Sequence, residues 1–333
     1  MKEFLVKQND LVEEYFEIVV KPLLPKAEQA YSYAFGQHIP HSLEISPVLV
    51  NGSLRHSQYE YKINQLKFIH YTNLESAKSI IGSGKMRMYS LASMNDSQEL
   101  SYALKNIISD KSDFTIDGYK DDVFSLSMNE FQDENELPET WKNYGDNGNG
   151  VGIVLKFLTK HKNIWNHHYL SKIHYQEEKL ELLRQFHIRH TDFIYKHKLE
   201  IIGQVKNFML PLGAFHKTNG YIQEDEVRLI VTNKEYTINE HIVYNVIKEK
   251  QKEKSFIEFE LNKKRFNHTL NVIFKNREDD IQKSIEGRPM PIIDKIILGP
   301  KLKEYDSIKK EMEILSLKGF GYKVKVERSI VQV

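Results

Sequence analysis

The sequence predicts an α+β fold with a mixed sheet, and three observations predict it. Short runs of strand character, alternating at 86–91 and 256–261 and rich in β-branched and aromatic residues or continuously apolar elsewhere, stand at 66–71, 86–91, 121–128, 151–157, 256–261 and 292–298. Apolar residues at helical spacing mark 4–35, 73–81, 97–108, 176–208, 265–285 and 302–317, so both element types are needed. The glycine-rich stretch Gly145 to Gly152 fits neither the dinucleotide fingerprint nor the phosphate loop, which removes both nucleotide-binding α/β folds.

Composition narrows the class further. The 333 residues carry 47 Lys and Arg against 46 Asp and Glu, a net charge of +1, so no global field draws the chain to nucleic acid or membrane. Zero cysteines excludes a disulfide framework and zinc–thiolate sites, as suits a reducing cytoplasm. No apolar run approaches the roughly 18 residues of a membrane span, and the start lacks a secretory pattern. The expectation is a soluble cytoplasmic protein without a membrane partner.

The stretch from Phe68 to Gly84 organises the rest. Leu66 to Tyr71 has aromatic and β-branched strand content, and Asn73 caps a helix whose Leu74, Ala77, Ile80 and Ile81 share a face. Gly82 and Gly84 end that helix, and Met86 to Leu91 alternates as a second strand. His70, Tyr71 and Thr72 thus stand where a strand gives way to a helix, a common place for ligands. The alternative is a histidine satisfied within the core or at an edge.

Later segments carry two further polar groups. Ser125 and Ser127 fall on one face of a strand, where small hydroxyls either admit a ligand ring or form a ladder within the sheet. Lys217-x-x-x-Tyr221 leads into Glu224-Asp225-Glu226-Val227-Arg228, whose two carboxylates raise each other's pKa unless a cation such as Arg228 intervenes. The plainer reading is an ion-paired edge strand. Trp141 and Tyr144 lie three apart before the glycines. His187 and His190 could share a metal, but no third ligand stands at fixed spacing, and the Lys-rich surroundings favour a solvated face, so no metal site is expected. Residues 236–254 read as charged and partly helical, and Tyr322 to Val333 as a closing strand.

Several of these segments together resemble a bacterial family known only as domain of unknown function 2971. They are His70-Tyr71-Thr72 with its helix, Ser93-Met94-Asn95-Asp96, Phe124-Ser125-Leu126-Ser127, Trp141-x-x-Tyr144 leading to Gly150-Val151-Gly152-Ile153, Glu224 to Leu229, and Ile296 to Pro300. Asn95-Asp96 lacks the proline usual there. The resemblance covers 66–333, leaving 1–65 as a helical appendage for packing, self-association or partner contact. The family's opening in turn is similar to that of the ADP-ribosyltransferases, which implies a mainly antiparallel sheet core and NAD as substrate.

That similarity implies roles. His70 with Thr72 would hold a ribose, Ser125 with Ser127 would line a nicotinamide pocket, and Glu226 would support the developing cation. Glu224 would orient or deprotonate the acceptor. Tyr71, Tyr89 or Trp141 would stack on an aromatic ring, and Arg228 would pair with pyrophosphate or with Glu226. The implied activity is ADP-ribosyl transfer to an unidentified nucleic acid or protein, as in a toxin or antiphage effector. NAD hydrolysis on the same fold, and a non-catalytic module that senses a nucleotide or nucleic acid, remain alternatives.

Overall fold

A computed structural model describes residues 2–27, 49, 52–62, 67–93, 102, 103, 107, 123–132, 136–158, 165, 167–199, 205–232, 244–249, 252–275, 277–287 and 289–332. All but the first two residues of the predicted helical piece from Lys26 to Phe35, most of the predicted helix 97–108 and the Asn95-Asp96 signature lie outside these residues.

The chain opens with helix α1 (Lys2–Tyr15), which continues as a wider turn of π-helix over Phe16–Val20. Strand β1 (Lys67–Thr72) then leads through α2 (Leu74–Ser83) to β2 (Lys85–Ser90). Next come β3 (Val123–Glu130), the short α3 (Pro138–Asn143), β4 (Val151–Phe157) and β5 (His168–Lys172). Helices α4 (Glu178–His197) and α5 (Val205–Gly213) precede β6 (Glu226–Thr232). The remainder is β7 (Tyr244–Glu249), β8 (Lys252–Glu260), α6 (Lys263–Ile273), α7 (Glu278–Glu286), β9 (Pro291–Leu298), α8 (Tyr305–Phe320) and β10 (Lys325–Arg328).

The α+β expectation holds. Among the described residues ten strands form one sheet in the order β10-β9-β4-β1-β3-β2-β8-β7, with β6 on β3 and β5 on β6. The β9–β10 pair is parallel and the other pairings are antiparallel, so the sheet is mixed and mostly antiparallel. No helix among the described residues is long and apolar enough to cross a membrane.

The opening unit forms for the reasons read from its residues. The Asn73 side chain accepts from the Ser76 amide 2.8 Å away, satisfying one of the free N–H groups of the first turn. Gly84 ends α2 in the left-handed region at φ 70°, where a side chain would meet the Gly319 carbonyl at 2.8 Å. Ala77 and Ile81 of α2 join Phe68, Met88, Leu126 and Met312 in one buried cluster.

A second cluster joins the N-terminal helix to the sheet. Val12, Tyr15, Phe16 and Val19 pack with Leu183, Phe186 and Phe193 of α4 and with Tyr169 and Ile230 of β5 and β6. The Tyr15 hydroxyl lies 2.9 Å from His190 Nδ1 inside that cluster. His190 is therefore buried, which corrects the expectation that the His187/His190 face is solvated. Among the described residues no group of three metal-ligating side chains forms, and His190 serves packing.

Four segments differ from expectation. Within 236–254, residues 244–249 form β7 and 252–254 begin β8, so the described part of that stretch is a hairpin arm rather than helix, because β7 pairs along the edge of β8. The run 176–208 is broken, since Lys198 adopts φ 52° and caps α4 without the glycine that signals such a stop. The run 265–285 likewise splits into α6 and α7 at Phe274. The closing strand spans only Lys325–Arg328.

The glycine-rich turn before β4 is tied to the turn that follows its neighbour β9. Gly299 donates to the Gly150 carbonyl at 2.9 Å and Lys301 to that of Gly148 at 2.9 Å. A Cβ on Gly150 would stand 2.3 Å from the Thr72 carbonyl oxygen, and one on Gly299 would stand 2.3 Å from that of Gly148. These two glycines permit a close backbone approach.

Candidate functional site

The site begins with a split in the sheet. Strand β1 pairs with β3 only at Phe68↔Glu130 and Ile69↔Asn129, and β2 pairs with the same edge of β3 at Tyr89↔Ser125 and Ser90↔Phe124. Between them, residues 126–128 of β3 face no strand on that edge among the described residues. Strands β1 and β2 are joined by α2, so the crossover helix borders the gap. A cleft of about 650 Å³ opens there, within the usual range for small-molecule sites.

His70 fills part of the gap with its ring. Its Nδ1 lies 2.9 Å from the Ser127 carbonyl oxygen. A carbonyl only accepts, so Nδ1 carries the hydrogen and Nε2 of the neutral ring is an acceptor. Withdrawal from water lowers the His70 pKa, the bond to Ser127 opposing in part, and so keeps the ring neutral at pH 7. The side chain thus does for β3 what a neighbouring strand would do, and it keeps one nitrogen for another partner.

One face of the cleft follows from strand alternation. Ser125, Ser127 and Asn129 project together from β3, and the register sets Ser127 opposite Arg228 and Asn129 opposite Glu226 on β6. The Ser125 hydroxyl is buried, at 7% residue exposure, and has no hydrogen-bond partner. Thr140 Oγ1, on another cleft-lining residue at 4% exposure, has none either. Buried hydroxyls without partners are uncommon, and these two border a space that a ligand can enter.

The acidic end is a charge network. Glu224 closes a turn of 3₁₀-helix spanning Asn219–Glu224, and Asp225 at φ 41° turns the chain into β6. Lys217 Nζ then lies 2.8 Å from Glu224 and 2.6 Å from Glu226. Arg228 Nε donates to Glu226 at 2.7 Å, and its Nη1 donates to the Ala214 carbonyl at 2.7 Å. Burial pushes the Glu226 carboxyl up, but the charges of Arg228 and Lys217 outweigh it and hold the pKa at about 2. Tyr144 donates its hydroxyl to Glu224, and Asn129 donates to the Glu224 carbonyl. Burial and the bond to Glu224 push the Tyr144 phenol upward, so it remains protonated.

Most of the sequence-predicted residues converge. His70, Tyr71, Thr72, Tyr89, Ser125, Ser127, Glu224 and Glu226 all line the cleft. Trp141 and Arg228 do not. Trp141 is fully buried behind Tyr71, ring centroids 4.9 Å apart, and its Nε1 donates to Glu136 at 2.8 Å. Arg228 is 1% exposed beneath Glu226, so its partner is that carboxylate.

Four lining residues escaped the sequence reading as site residues: Asn129, Lys217, Tyr144 and Arg87. Asn129 was within reach, since it continues the alternation of Ser125 and Ser127. Tyr144 stood in a motif without an assigned role. Lys217 opens the Glu224–Arg228 motif without an assigned role, because its place between two glutamates depends on the intervening turn. Arg87 reaches the cleft through the pairing of β2 with β8, which no local pattern announces.

Comparison with known proteins gives one result. No curated protein and no solved structure matches the chain. Residues 140–229, which carry Trp141, Tyr144, Lys217, Glu224, Glu226 and Arg228, match the model of a family described as "Protein of unknown function (DUF2971)".

Proposed function

We propose that the cleft binds NAD and transfers its ADP-ribosyl group to a macromolecular acceptor. One observation carries this reading: the residues that the similarity to ADP-ribosyltransferases assigns to a single site, His70, Ser125, Ser127 and Glu226, line one cleft although they come from three strands. In this reading the bond between C1′ and the nicotinamide nitrogen breaks, and nicotinamide leaves with the electron pair. A nucleophile on the acceptor then bonds to C1′ and loses its proton. Glu226 is a fixed anion beside the developing oxocarbenium charge, held in place by Lys217 and Arg228, so little reorganisation is needed as the charge appears. Glu224, reached past the Tyr144 hydroxyl, is the nearby carboxylate for the acceptor's proton. The same proposal extends to a toxin or antiphage effector of the bacterial cytoplasm.

A second reading has an observation of its own. Both oxygens of Glu226 are engaged by cations, at 2.7 Å and 2.6 Å, which suits a cleft that binds a nucleotide without turnover. Incubation with NAD labelled in its adenosine half separates the readings. Label on nucleic acid or protein supports transfer, and free ADP-ribose with nicotinamide supports hydrolysis. Intact, bound NAD supports the binding module.

A further inference from the structure

The cleft has a second charged end, and the geometry points to its use as the anchor for the phosphates of a nucleotide, with Arg87 as the principal contact. This rests on the nucleotide reading above and deepens it. Register sets Tyr89 of β2 opposite Ser125 and Glu226 of β6 opposite Asn129, on the two edges of β3, so the two ends stand two strand spacings apart, about 10 Å at ~4.8 Å per strand. Arg87 lies one alternation before Tyr89 on the same face of β2, alongside the gap at 126–128 of β3. Its guanidinium stands 4.3 Å from the centroid of Phe256, a ring that is itself buried. Lys254, also lining the cleft, places its ammonium 5.6 Å from the Tyr89 ring centroid.

The pairing of charges singles out Arg87. Neighbouring Lys85 is matched by Glu258 at 2.6 Å, yet Arg87 forms no ion pair among the described residues. A guanidinium laid on an aromatic face is held in one orientation while its outward N–H groups stay available, and its planar fork suits a phosphate. At the other end, the charges of Lys217 and Arg228 are already balanced by Glu224 and Glu226, so that end offers a phosphate no net attraction. The cleft therefore orients a ligand that is anionic at one end and becomes cationic at the other. A diphosphate joined to a ribose has that character.

Binding of ADP-ribose, ADP and adenosine to the full chain, followed by calorimetry, tests the assignment without requiring turnover. Arg87→Gln is expected to weaken ADP-ribose and ADP tenfold or more and to leave adenosine within about twofold, with Arg87→Lys recovering part of the loss. Lys85→Gln, whose charge is already matched, is expected to change ADP-ribose affinity less than threefold. ADP-ribose affinity that is indifferent to Arg87→Gln overturns the inference, as do equal losses for adenosine and ADP-ribose, or failure of the unaltered chain to bind any diphosphate. Arg87-dependent binding of ADP-ribose in a protein that never consumes NAD upholds the phosphate anchor and removes the transfer reaction.

Discussion

Lys217 holds its ammonium 2.6 Å from the Glu226 carboxylate, and both side chains are almost wholly buried at the floor of the cleft. The same ammonium reaches Glu224 at 2.8 Å, so one cation bridges two acids and, together with Arg228, balances their charge.

Removal of that cation leaves Glu226 with Arg228 and Glu224 with the neutral Tyr144 hydroxyl, two buried carboxylates and one cation. Lys217→Met is expected to lower the unfolding free energy by about 3–5 kcal/mol in urea titration. Adding Glu224→Gln should restore part of the loss, because one of the unmatched charges is gone. A loss below about 1 kcal/mol in the single variant, the size of an exposed pair, would show that water already solvates the network.

Ser125→Ala is expected to behave in the opposite sense. Its hydroxyl is buried without a partner, so the ligand-free protein should gain up to about 1 kcal/mol on its removal. Nucleotide affinity should fall. A melting temperature that drops on substitution would mean that the hydroxyl already has a partner in the free protein.

Gly150 supplies a test of the interlocked turns. A methyl group there meets the Thr72 carbonyl at 2.3 Å and Gly145 backbone at 2.8 Å, and neither can move without opening the sheet. Gly150→Ala should cost about 2–3 kcal/mol by thermal unfolding. An unchanged melting temperature would contradict the close approach.

Acid should weaken the fold in two windows. His174 and His190 are held at about 4 chiefly by burial, and His216 lies well below its usual value for the same reason. Unfolded histidine titrates near 6.5, so below that pH the unfolded chain takes up protons that the native rings refuse. The stability tied to the neutral rings is complete above about pH 6.5 and declines toward pH 4, by roughly 3 kcal/mol for His174. Glu226, at about 2 against an ordinary 4.5, adds a lower window in which stability present above pH 4.5 is lost toward pH 2. Melting temperatures between pH 7 and 4 check the first window. His174→Phe should flatten that slope, and an equally steep profile would place the proton uptake elsewhere.

Local chemistry made the opening unit legible. Asn73, the apolar face of α2 and Gly84 each act within a few residues, so the sequence shows them directly. The serines of β3 follow from alternation alone. The split between β1 and β2 does not, because it arises where two strands far apart in the chain share one edge of β3. Lys217 and Arg87 were hidden for the same reason: each acquires its neighbours through a turn or a strand pairing rather than through spacing. The first arm of the β7–β8 hairpin reads as partly helical because its run of lysine and glutamate mimics the surface of a helix, whereas the alternation at 256–261 marks the second arm as a strand.

Nicotinamide release from NAD by the unaltered protein and by Glu226→Gln tests the central claim most directly, with binding measured alongside. The account predicts release by the unaltered chain and a fall of about 100- to 1000-fold in the variant, with NAD affinity within about threefold. Equal release by both proteins, or none by either, would contradict it.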